Sequence, residues 1–160
     1  MFAFQIMTHT IDIEEILTKI IVWSITKHAS NLDSFLDCFE RFGLDNKIEL
    51  SKAVLKYNYP EIYKNHPEIF SKIGQIKKWR NQLAHLNRYV EDDYMRGSTE
   101  LVLHNRSTKE ERFTEKKMHK IMLMAENCSS ELYSIWNLIG RERGSETKHV
   151  QTGNAEKYVP

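Results

Sequence analysis

The stretch Ile13-Glu14-Glu15-Ile16-Leu17-Thr18-Lys19-Ile20-Ile21 decides the fold class. Its apolar residues return at steps of three and four, with acids and a lysine between them. That is the repeat of a helix with one apolar face. The pattern starts at about Thr10 and resumes in Leu32, Phe35, Leu36, Phe39 and Phe42. His28-Ala29-Ser30-Asn31 breaks it in two, with Ser30 or Asn31 capping the second half, and Gly43 reads as the C′ glycine that ends it. The aromatic run Phe35, Phe39, Phe42, with Arg41 beside it, is expected to face the core.

Working outward, a helix is expected from Asp45, as N-cap, through Leu50, Val54 and Leu55 to Tyr57. Asn58-Tyr59-Pro60 stops it, and a turn-rich segment follows to His66. Pro67 suits a first helical position and opens a helix that carries Ile69, Ile73, Ile76, Leu83 and Leu86 to about Asn87. Thr99-Glu100-Leu101-Val102-Leu103-His104 and Glu110-Glu111-Arg112-Phe113-Thr114 flank Asn105-Arg106-Ser107-Thr108-Lys109 and read as a small β-hairpin. Thr114 begins a last long helix with Met118, Ile121, Met122, Ala125, Leu132, Ile135, Trp136 and Ile139 inward. The expected fold is all-α, an up-and-down helical bundle of about four to five helices with the hairpin inserted before the last one. The helical domain covers 1–140, and the polar residues 141–160 form a flexible C-terminal tail.

Composition narrows the function classes. A chain of 160 residues, 41% hydrophobic and 28% charged, has material for one core and no disorder-wide bias. With 23 Lys and Arg against 22 Asp and Glu, the net charge of +1 excludes a cationic coat over the whole surface but permits a local patch. Cys38 and Cys128 are too few for a disulfide framework or a cysteine zinc site. The longest apolar run, Ile20-Ile21-Val22-Trp23, falls far short of a membrane span, and Met1-Phe2-Ala3-Phe4-Gln5-Ile6-Met7 lacks the basic start of a secretory signal. A cytoplasmic protein without membrane association is expected.

The local patch lies in residues 64–90, where Lys64, Lys72, Lys77, Lys78, Arg80 and Arg88 meet one acid, Glu68, a net +5. At about 100° per residue, Arg80 and His85 flank a polar face some 140° apart, with Asn81 between them and small Ala84 leaving room for close approach. A solvated basic helix face is the plain reading of such a stretch. A docking surface for phosphates is the functional one, with Lys77, Lys78 and Arg88 as its cations. No histidine spacing supports a metal site, and Glu91-Asp92-Asp93 reads as an acidic loop. Tyr57, Tyr59 and Tyr63 read as turn-stabilising residues, and Met118, Met122 and Met124 as packing.

Arg80-Asn81-Gln82-Leu83-Ala84-His85, preceded by Ile76-Lys77-Lys78-Trp79, resembles the R-N-x-x-A-H form of the Arg-x4–6-His motif of the HEPN superfamily. The resemblance implies a helical bundle that dimerises so that both motifs line one cleft. It also implies a metal-independent endoribonuclease with no cofactor and with Arg80, Asn81 and His85 as catalytic residues. Toxin–antitoxin and phage-defence settings, with an antitoxin or regulatory protein as partner, go with that family. Other members keep the fold as RNA- or protein-binding modules without cleavage. The residue chemistry is compatible: RNA brings its own 2′-hydroxyl nucleophile, a histidine moves protons near neutral pH, and an arginine offsets charge growing on phosphate. A plain helical interaction protein with an accidental motif is the unrelated alternative.

Overall fold

Ile6, Thr10 and Ile13 extend the apolar repeat backwards by almost two turns, so α1 spans Phe2–Ile25 rather than beginning at Thr10. A computed structural model describes residues 2–26, 32–85, 101–104 and 110–155. Thr10 hides this earlier start because it counts as polar, yet its hydroxyl donates to the Ile6 carbonyl at 2.7 Å and is thereby satisfied inside the helix. Thr18 and Thr26 do the same, to Glu14 and Val22, which is how three threonines lie buried on this face.

The remaining described elements are α2 (Leu32–Glu40), α3 (Leu44–Asn58), α4 (Pro60–Asn65), α5 (Ile69–His85), β1 (Leu101–His104), β2 (Glu110–Phe113) and α6 (Glu115–Ala155). The all-α class stands. The break expected at residues 28–31 lies outside the described residues. Leu101 to His104 pair antiparallel with Phe113 to Glu110. The turn expected at 105–109 and the approach at 86–100 lie outside the described residues, so these short strands do not define an inserted hairpin unit.

Several local expectations are corrected. Gly43 has φ −64° and ψ 154°, extended backbone rather than the left-handed C′ conformation, and it is the N-cap of α3. Asp45 sits in the first turn of α3, where its charge complements the helix dipole, instead of capping it. The segment after Tyr59 is not turn-rich: Tyr59 closes α3 by donating to Leu55, and Pro60 takes the first position of α4. Pro67 and Glu68 form a turn ahead of α5, whose first helical bond runs from Lys72 N–H to the Glu68 carbonyl at 3.0 Å. The aromatic face of α2 is not core: Phe35 is 39% and Phe42 37% exposed, and the Phe39 and Phe42 rings pack on each other at 5.0 Å. The α6 backbone remains helical past Gly140 to Ala155.

The chain divides into two compact units. The first comprises Met1–Ile13 and Glu68–Ser129; its core joins Ile6, Phe113, Met118 and Ile121, with Trp79, Leu83 and Met122 packed against them. Thr114 starts α6 here, its hydroxyl accepting the Lys117 N–H at 3.1 Å as an N-cap.

The second unit comprises Glu14–Pro67 and Ser130–Pro160. Ile16, Leu17, Ile20, Ile21, Val22, Ile48, Leu55, Ile62, Leu132, Ile135 and Ile139 are its buried apolar residues among the described ones, and the Ser51 hydroxyl ties α3 to α1 through the Leu17 carbonyl. Lys47 is buried and meets the Glu14 carboxylate at 3.2 Å. His66 Nδ1 lies 2.8 Å from Glu131 Oε1. Arg143 donates from both terminal nitrogens to the Trp23 and Thr26 carbonyls, where α1 ends and its last carbonyls lack helical partners.

Candidate functional site

The site is built on α5. Ile69, Ile73 and Ile76 bury one side of this helix, and Trp79 and Leu83 continue it onto the cluster of Ile6, Phe113, Met118 and Ile121. That packing fixes the rotation of α5 and sets which residues of the motif reach water. Lys78 and Ala84 are exposed, and Lys77, Arg80 and Asn81 are half-buried.

Arg80 departs from its expected place on the polar face. At about 100° per residue it lies only about 20° from Ile73 around the helix, at the edge of the buried arc. Its stem is covered accordingly: Nε is shielded from water and has no hydrogen-bond partner among the described residues. Nη1 donates to Asn81 Oδ1 at 3.2 Å. The two adjacent side chains therefore form one unit, with the Asn81 oxygen turned to the guanidinium. The Asn81 oxygen thereby orients Arg80, which leaves the Asn81 amide N–H groups as donors.

His85 is the last residue of α5, a little over one turn beyond Arg80. Its side chain, and Arg88 altogether, lie outside the described residues, as do Glu91, Asp92 and Asp93. Arg80 and Asn81 are thus brought together with Lys77 and Lys78 on the same helix. Among the described residues no group of three or more His, Cys, Asp and Glu side chains can hold a metal ion, and no helix is long and apolar enough to cross a membrane.

A second basic segment escaped the sequence reading. Lys116, Lys117, His119 and Lys120 occupy the first two turns of α6, against one acid, Glu115. Lys117 holds its ammonium 4.2 Å from the centre of the buried Phe113 ring, a cation–π contact. The signal was available as a local charge count, but the apolar period of α6 drew the reading to its inner face.

Compared with models of protein families, with curated proteins and with solved structures, the chain finds no match.

Proposed function

We propose that the protein is a HEPN-like, metal-independent endoribonuclease that cuts RNA as a homodimer. The observation that carries this reading is the Arg80–Asn81 pair, joined at 3.2 Å on α5 within the string that ends at His85. In the reaction, the 2′-hydroxyl oxygen of one nucleotide forms a bond to the adjacent phosphorus as the P–O5′ bond breaks. His85 takes the 2′-hydroxyl proton, and the departing 5′-oxygen takes one from water. Arg80, held by Asn81, faces the charge that builds on the phosphoryl oxygens. Lys77, Lys78 and Arg88 hold the flanking phosphates. Arg80 and His85 diverge by about 140° on one helix, so two copies meeting near exposed Ala84 aim the pair at one phosphodiester. A cytoplasmic toxin or phage-defence role, restrained by an antitoxin or other regulatory protein, accords with this activity.

The buried Nε favours a second reading, a non-catalytic HEPN-like module that binds RNA or protein and uses Arg80 as a packing element. Incubation with mixed RNA in EDTA tests the two. Cleavage by the native protein, lowered about 10²–10⁴-fold in His85→Ala, is the expected result. Mixing Arg80→Ala chains with His85→Ala chains should restore part of it. No cleavage with or without magnesium, together with a marked loss of melting temperature in Arg80→Ala, supports the second reading instead.

A further inference from the structure

Three lysines and a histidine in the first two turns of α6 sit where the helix dipole disfavours cations. Lys116 and Lys120 are exposed and have no carboxylate partner among the described residues. Lys19, Lys47 and Lys64 each find one, with Glu15, Glu14 and Glu61. Lys116 and Lys120 therefore add no ion pair to the helix among the described residues. Their four-residue spacing sets Lys116 and Lys120 on one face, and His119, also exposed, adjoins it.

This segment lies beside the motif. Met118 and Ile121 of α6 belong to the cluster against which Trp79 and Leu83 of α5 pack. Lys78 and Arg80 flank Trp79 in sequence; Lys117 and Lys120 adjoin Met118 and Ile121. The two basic helix segments of the first unit thus pack on one small apolar core. Lys117, held over the Phe113 ring, is fixed at the join.

We infer that the start of α6 is a second phosphate-binding surface, on which Lys116 and Lys120 hold a single RNA strand beyond the site on α5. The inference rests on the reading of RNA as the partner and adds where the strand runs. The contact is to the backbone, so it sets affinity and salt dependence without choosing a sequence.

A short fluorescent single-stranded RNA, 2′-O-methylated so that it is not cut, is titrated at several salt concentrations. The proteins are the native chain, Lys116→Gln/Lys120→Gln, and a control of equal charge loss on α3, Lys52→Gln/Lys56→Gln. Each lost phosphate contact flattens the slope of log affinity against log salt by about 0.7, so the α6 variant should lose about 1.4 and bind roughly ten- to thirtyfold more weakly near 0.1 M salt. The control should keep the native slope. A native slope in the α6 variant, or an equal loss in the control, overturns the surface while leaving the α5 site standing. Binding as expected without cleavage of ordinary RNA upholds the surface and fails the ribonuclease reading. No binding by the native chain overturns both.

Discussion

In the second unit, the charged and hydroxyl groups drawn under cover meet partners: Lys47 meets Glu14, His66 meets Glu131, Ser51 meets the Leu17 carbonyl and Arg143 meets two carbonyls at the end of α1, while the covered Trp136 Nε1 has no hydrogen bond among the described residues. In the first unit, Lys78, Lys116 and Lys120 stand exposed without a carboxylate partner among the described residues, and Arg80 Nε is covered without a hydrogen bond. A buried charge must be paired because the protein interior replaces its water poorly. An exposed charge carries no such demand, so selection for something outside the fold is free to keep it. The difference separates residues that hold the chain together from residues available to a ligand.

The largest effect expected from this contrast is at Lys47. Glu14→Ala strands a lysine only 4% exposed, whose other contact is the Glu40 carbonyl at 3.4 Å. Stability should fall by about 2–3 kcal/mol, less than for most broken buried pairs because the Glu14 side chain is itself partly solvated. Lys47→Met removes the charge and keeps the volume, so it should stay within about 1 kcal/mol of the native protein. Urea denaturation of both variants checks this. Equal losses would mean that the pair, not the stranded charge, sets the cost.

A smaller loss, about 1–2 kcal/mol, is expected for Arg143→Ala, which uncaps the last turn of α1. Thermal unfolding should show the drop, and the same drop in Arg143→Lys would identify the paired geometry of the guanidinium as the source. An unchanged midpoint in Arg143→Ala would remove α6 as a cap. At the bottom of the scale stands Lys78→Gln, expected within about 0.5 kcal/mol of native in the same assay. A large loss there would show that the exposed cations of α5 belong to the fold after all.

The inner face of α6 was legible in the sequence: Met118, Ile121, Ala125, Leu132, Ile135 and Ile139 all lie buried, because a repeat sustained over six turns leaves one rotation for the helix. The same periodicity misled on α2. It places Phe35, Phe39 and Phe42 on one side but says nothing of whether another element covers that side, and here Phe35 and Phe42 reach solvent. The start of α1 was hidden by a threonine that satisfies its own hydroxyl, and α4 by a proline that both stops one helix and opens the next. At the site, the adjacency of Arg80 and Asn81 followed from order alone. The half-burial of Arg80 did not, since a residue at the edge of an apolar arc is claimed by whatever packs beside it.

The central claim is that α5 carries a site for cleavage by the substrate's own 2′-hydroxyl, and its most direct test uses one RNA with a single cut position. The native protein in EDTA should leave a 2′,3′-cyclic phosphate or its 3′-phosphate at the cut, and a single 2′-deoxy substitution on the 5′ side of that bond should abolish cutting while binding persists. Cutting of the deoxy-substituted strand at the native rate, or activity that vanishes in EDTA and returns with magnesium or manganese, would contradict it.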